Sequence, residues 1–106
     1  IRVLQPDIIK WGGLSGMLQL GNAINAAGLR FCPHYLGGGV GLMATAHLMA
    51  ALGGDSLLEL DLTENPFRDQ LGSPFSLIRD GDMILPDTAG HGVDPDSCDI
   101  EAFRIF

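Results

Sequence analysis

Positive charge is scarce in this sequence. Six lysines and arginines stand against thirteen aspartates and glutamates in 106 residues, a formal net charge of −7, and Lys10 is the one lysine. Such a chain has no cationic surface for a phosphate backbone or an anionic membrane, which argues against nucleic acid and membrane partners. Long hydrophobic runs are also missing. Nothing approaches the ~18 apolar residues of a spanning helix, and the start lacks the basic-then-apolar layout of a secretory signal, so a soluble, cytoplasmic protein is expected. Cysteine is limited to Cys32 and Cys98, too few for a disulfide framework and not spaced as a zinc pair. What is abundant is apolar: 46% hydrophobic against 18% charged residues excludes disorder for most of the chain, and the length suits a single domain or part of one. The first residue is Ile1, already inside a strand-like run, so the chain is expected to begin within a larger structure.

Glycine and proline punctuate the first sixty residues, and the apolar period between them alternates. Residues 1–9 hold Val3, Leu4, Ile8 and Ile9 around Gln5-Pro6-Asp7, a short buried strand with Asp7 at its C-terminal end. After Gly12-Gly13, Ser15 is the expected N-cap of a helix of about three turns, carrying Met17, Leu20, Ile24 and Ala27 at helical spacing and stopped by Gly28. Leu29-Arg30-Phe31-Cys32 reads as a second strand, closed by Pro33 and followed by His34. Gly37 to Gly41 open a helix over about residues 40–52, ended by Gly53-Gly54. Leu57-Leu58-Glu59-Leu60-Asp61-Leu62 reads as a third strand with Glu59 and Asp61 on one face and no helix after it. This alternation specifies an α/β fold with a parallel sheet and right-handed crossovers. From Thr63 the composition shifts to Pro, Asp and Gly, which divides the chain at residues 1–62 and 63–106; Asp80-Gly81, between Phe75-Ser76-Leu77-Ile78-Arg79 and Asp82-Met83-Ile84-Leu85, predicts a hairpin.

Asp7, His34 and Glu59 lie 27 and 25 residues apart, each at or near the C-terminal end of one of three successive strands. Adjacent strands are ~4.8 Å apart, so an aspartate and a histidine at neighbouring strand ends reach hydrogen-bond contact. The carboxylate fixes the imidazole tautomer and stabilises the imidazolium, which leaves the other nitrogen as a general base. A carboxyl on the next strand, kept protonated by its site, donates to a developing oxyanion. Singly, each of the three also reads as a turn, loop or solvated residue; their recurrence at equivalent positions carries the functional reading. Lys10 fits either a surface position or a charge partner for a strand-end carboxylate. His47 reads as a packing or solvent-facing helix residue, His91 as a loop residue, Cys32 as a small buried hydrophobe, and Trp11, Met17, Met43 and Met49 as packing. Gly39-Val40-Gly41-Leu42-Met43-Ala44 also matches a dinucleotide-binding fingerprint with Glu59 twenty residues on, although Pro33 to Gly38 intervene between it and the preceding strand. The same glycines would alternatively leave a helix N-terminus open to an anionic substrate group.

The run Gln5-Pro6-Asp7-Ile8-Ile9-Lys10-Trp11-Gly12-Gly13, Pro33-His34 before a glycine-rich helix start, Leu58-Glu59, the Asp80-Gly81 hairpin and Pro86-Asp87-Thr88-Ala89-Gly90-His91-Gly92-Val93 resemble the C-terminal part of the mandelate racemase and muconate lactonizing enzyme group of the enolase superfamily. The resemblance implies a (β/α)7β barrel of the TIM type, to which this chain gives the sixth, seventh and eighth strands, with residues 63–106 returning to an α+β capping domain. It implies His34 as the general base of a His-Asp dyad with Asp7, Glu59 as the acid that hydrogen-bonds the enolate, and Lys10 as the family's basic residue one turn beyond the sixth strand. A catalytic lysine at the Asp7 position would mark the muconate lactonizing and dipeptide epimerase types, so this sequence sides with the mandelate racemase type.

The activity so implied is removal of the proton α to a carboxylate through an enediolate, with dehydration of a sugar acid as the outcome and racemisation or epimerisation of a 2-hydroxy acid as the alternative. Mg2+ is the implied cofactor, with its acidic ligands upstream of Ile1 and none in this chain. The implied partners are a small carboxylate substrate, the remainder of the barrel and capping domain, and further copies in a homo-oligomer. Catalysis by this segment alone is not expected; a non-catalytic folding or assembly piece is the alternative in isolation.

Overall fold

The computed structural model describes residues 1–71, 74–97 and 100–105. Strand β1 is Val3–Leu4, helix α1 is Gly13–Ala26, strand β2 is Arg30–Phe31 and helix α2 is Gly39–Leu52. β1 and β2 pair in parallel, Val3 opposite Arg30 and Leu4 opposite Phe31. Backbone hydrogen bonds extend the pairing beyond the two-residue strands, from Arg30 N–H to the Arg2 carbonyl, Cys32 N–H to Leu4 and His34 N–H to Pro6. The register offset is the same 27 residues that separate Asp7 from His34, so the two side chains leave the sheet together.

Two glycines decide where α1 starts. Gly12 and Gly13 both take positive φ, +85° and +63°, and Gly12, not Ser15, occupies the cap position, without a side-chain cap bond. The turn after Asp7, whose carbonyl accepts from Lys10 and Trp11 N–H, feeds directly into the helix, which leaves Ser15 inside its first turn. Met17 and Ile24 of α1 meet Phe31 of β2, Leu42 and Leu48 of α2, and Ile8 and Tyr35 in one buried cluster. α1 and α2 approach so closely at Gly21 that a Cβ there would lie 2.3 Å from a Leu52 methyl.

The third expected strand is corrected. Residues 57–62 have no regular secondary structure; Leu58 and Leu60 pack against the core, but the segment forms no ladder with β2 among the described residues. The cause lies on β2. Arg30, Cys32 and His34 donate toward β1, so Phe31, Pro33 and Tyr35 face the other way. Proline has no N–H to give, and the Tyr35 N–H is taken by the Glu59 carboxylate at 2.7 Å. The Leu57 N–H in turn goes to the Cys32 sulfur at 3.4 Å.

A short helix does follow this segment, against the sequence expectation. α3, Pro66–Asp69, begins with proline after Asn65, whose side chain accepts the Arg68 N–H. A 3-10 turn at Pro74–Leu77 then leads into the antiparallel hairpin of β3, Ile78–Arg79, and β4, Asp82–Met83. Asp80 and Gly81 at its tip have φ of 53° and 90°, the two positive angles a tight hairpin turn requires. The hairpin forms as expected, with a shorter ladder. Further 3-10 turns span Pro95–Ser97 and Ile100–Phe103, and the Phe103 ring packs on Phe67 of α3 with centroids 4.9 Å apart.

Gly39 is where α3 meets α2. A Cβ on Gly39 would fall 1.4 Å from the Leu71 carbonyl oxygen, and one on Gly41 would fall 2.2 Å from the Tyr35 hydroxyl. The glycines of the dinucleotide-like pattern are therefore filled by this protein's own backbone and ring, and Phe67 lies against Gly38 beside them. That corrects the nucleotide reading of the segment. Gly39→Ala must push backbone aside, and we expect it to destabilise the fold by at least the ~1–3 kcal/mol of an overpacked core, read as a lowered thermal midpoint; an unchanged midpoint would contradict this packing.

Candidate active site

Asp7 emerges from β1 into the turn before α1 and is 7% exposed. Its Oδ1 accepts the Ile9 N–H at 2.8 Å, which fixes the carboxylate plane from its own turn. Its Oδ2 faces two cationic or potentially cationic groups, the Lys10 ammonium at 3.0 Å and the His34 Nδ1 at 3.4 Å. The second distance is at the long end for a hydrogen bond, as is common before a substrate is bound. The other face of the imidazole looks to the third segment, with Nε2 3.9 Å from Glu59 Oε2. That oxygen is itself held by the Tyr35 N–H. The structure thus brings Asp7, Lys10, His34 and Glu59 into one continuous cluster, with the His34 and Glu59 side chains about one-third exposed and open to a small molecule.

Burial pushes the Asp7 carboxyl upward, but the Lys10 contact, the Ile9 N–H and the His34 contact outweigh it and hold the group below its ordinary value of 3.8. Tyr35 moves up, first through burial and then through the Asp7 charge. Its hydroxyl donates to the Gly38 carbonyl at 2.7 Å, which ties the turn after His34 to the start of α2.

A cavity of about 590 Å³ lies elsewhere, between the end of α2, residues 56–60 and the β3–β4 hairpin, and no member of the cluster lines it. The other singled-out residues fall where packing puts them. Met17 and Met43 are fully buried, Met49 packs on the core and Cys32 is a buried free thiol, whereas Trp11 is largely exposed. Cys98 lies outside the described residues. His47 and His91 are half-buried, and each has one buried ring nitrogen without a hydrogen-bond partner among the described residues.

Sequence reasoning missed two residues near the cluster. Tyr35 holds Glu59 through its backbone, which no side-chain pattern announces. Arg68 of α3 is buried at 3% exposure and reaches back to Asp61 and Thr63, just past Glu59. The Asn65-Pro66 pair, a cap residue followed by proline, was the available signal for its helix. Among the described residues no group of three or more His, Cys, Asp or Glu side chains converges to hold a metal, and no helix is long and apolar enough to cross a membrane.

A strand-helix-strand-helix unit with titratable side chains gathered where its parallel strands end is the layout in which α/β folds build their sites. The family model of enolase C-terminal domain-like proteins matches residues 1–99, and the chain belongs to that family. Among curated proteins it is 33% identical to arabinonate dehydratase of Saccharolobus solfataricus over 92 residues, which is 87% of this chain and 24% of that protein. It is 31% identical to D-galactarolactone cycloisomerase of Agrobacterium fabrum over 114 residues, 99% of this chain and 30% of that protein. The crystal structure of a mandelate racemase/muconate lactonizing enzyme from Bordetella bronchiseptica RB50 superposes with a TM-score of 0.87 at 47% identity, over 98% of this chain and 29% of that one. The chain thus spans less than a third of the length of each relative.

The direction of the Asp7 shift sets a pH dependence. A carboxyl held below its ordinary value adds stability that is full above the unfolded-state value and is lost as pH falls through the folded one. The stability gap between the parent and Asp7→Asn should therefore be constant at neutral pH and close below the ordinary value of 3.8. Chemical denaturation at stepped pH measures it; a gap that widens on acidification would reverse the assignment.

Proposed function

We propose that this chain supplies one catalytic wall of an enzyme that removes the proton α to the carboxylate of a sugar acid, leading to its dehydration. The observation that supports the reading best is the seat of His34 between two carboxyl groups on neighbouring segments, 3.4 Å from Asp7 and 3.9 Å from Glu59. With Nδ1–H donated to Asp7, the Nε2 lone pair faces the side of Glu59 and is the base. Asp7 stays ionised, since its carboxyl is held below its ordinary value, and stabilises the imidazolium once the α-proton has been taken. Glu59 stands beside that nitrogen and, in its carboxylic acid form, would donate a hydrogen bond to the substrate carboxylate oxygens as charge builds on them. In dehydration the imidazolium then returns its proton to the departing β-hydroxyl, so the base ends the cycle neutral and water leaves. Lys10, largely exposed, pairs with the Asp7 carboxylate from outside and favours its ionised form.

The similarity to a dehydratase of arabinonate supports the sugar-acid outcome. Racemisation of a 2-hydroxy acid shares the first step and is supported by the likeness to the mandelate racemase/muconate lactonizing enzyme structure; a keto product separates the two. Mg2+ is the cofactor of this reading and would neutralise the substrate carboxylate, but the described residues of this chain do not form its site. The remainder of the barrel would provide it, and residues 63–106 would join the capping domain.

The test is exchange of the substrate α-proton with solvent deuterium, followed by NMR across a panel of sugar acids, in the protein that joins this chain to the rest of the barrel. His34→Asn should cut the exchange by the ~10²–10⁴-fold that a general base contributes, with substrate binding retained. Undiminished exchange would remove His34 from the role.

A further inference from the structure

Residues 57–62 carry Glu59 but have no ladder among the described residues to hold them. Their N-terminal part is pinned by Leu58 and Leu60 in the core and by the Leu57 N–H on Cys32. Beyond Glu59 the anchor is Arg68. Its NH2 group donates to the Thr63 carbonyl, its NH1 stands 3.6 Å from Asp61 Oδ2, and its Nε donates to Asp69 at 3.0 Å. The Phe75 ring lies 5.2 Å from the guanidinium carbon, over one face of the group. Asp61 is prepared for this contact. Its Oδ1 accepts both the N–H and the hydroxyl of Thr63, at 2.9 and 2.7 Å, which closes the 61–63 turn and leaves Oδ2 to Arg68.

The position of Arg68 is fixed in turn. Asn65 caps α3, and the Leu71 carbonyl seats on Gly39 of α2. A guanidinium at 3% exposure is a poor means of gaining stability, because its desolvation offsets most of what its partners return. What such a group does impose is a single backbone arrangement, since Nε and NH2 reach Asp69 and the Thr63 carbonyl together only in one geometry, while NH1 keeps ion-pair range to Asp61 without a hydrogen-bond partner among the described residues.

We infer that Arg68 is a positioning residue of Glu59: by holding the Thr63 carbonyl and pairing with Asp61 it sets where the segment that bears Glu59 runs beside His34, and the Tyr35 N–H orients the carboxylate on that segment. This rests on the role given to Glu59 above. Arg68 lies on α3, outside the segments that bear the cluster, and acts on the reacting atoms only through Asp61 and Thr63.

A double-mutant cycle decides it, in the protein that includes the rest of the barrel, with kcat, KM, α-proton exchange and thermal midpoint measured for each variant. Arg68→Met should lower kcat and exchange by about 10–100-fold, the scale of a misplaced catalytic group, with KM nearly unchanged. Glu59→Gln should lower both alone, and adding Arg68→Met to it should cause little further loss. Arg68→Lys, which keeps the charge and stem and serves if the methionine variant does not fold, should lose activity in the same direction and show the same non-additivity. Equal losses with Glu59 present or replaced would overturn the inference while leaving Glu59 in its role. No effect of Glu59→Gln alone would overturn both.

Discussion

The parallel register of β1 against β2 is the constraint from which the site follows. Three hydrogen bonds, donated by Arg30, Cys32 and His34, hold an offset of 27 residues along both chains until each leaves the sheet. Because the strands run the same way, their exits lie at one end, and the side chains that follow the last pairing are Asp7 on one and His34 on the other. A one-residue slip would turn one of them to the opposite face. The slip is resisted by burial: Phe31 is 1% exposed, Ile8 and Tyr35 complete the same cluster, and Met17 and Leu42 close it from the helices. The core thus specifies the register, and the register specifies the dyad.

Much of this was written locally. The spacing of Asp7 and His34 equals the ladder offset because strand, turn, helix and turn consume a fixed number of residues between equivalent points of successive units, and that count survives small errors in element boundaries. The Asp80-Gly81 hairpin and the Gly28 and Gly53 stops depend on φ preferences of single residues and were legible for the same reason. Ser15 was a misleading signal, since two glycines with positive φ allow the turn after Asp7 to wind straight into α1. The third strand failed for a reason that sits on its neighbour: Pro33 withholds a donor and Glu59 captures the one from Tyr35.

The rest depends on contacts between residues distant in sequence, which no period encodes. Gly39 and Gly41 looked like a phosphate cradle because glycine marks any close approach. Only the tertiary structure shows that what approaches is the Leu71 carbonyl and the Tyr35 ring. Arg68 was equally opaque, one basic residue in a proline- and aspartate-rich stretch. Its burial is visible only once α3 has been placed against α2 and the 61–63 turn has folded toward it.

The four side chains of the cluster are not held alike, and the difference bears on which contacts set geometry. Lys10 is 67% exposed, so its pairing with Asp7 is screened and worth at most about 1 kcal/mol. It lowers the carboxyl but is too mobile to aim it. The Ile9 N–H does aim it, because that bond closes a turn two residues long whose backbone is already fixed by the carbonyl of Asp7 itself. Glu59 is aimed the same way, by the main-chain N–H of Tyr35, a residue locked by its buried ring and by the bond from its hydroxyl to Gly38. Both carboxylates therefore take their orientation from backbone donors that immediately follow a site residue or belong to the same turn. His34, the proposed base, has no such backbone bond to its ring, and it sits between two carboxylates that have one.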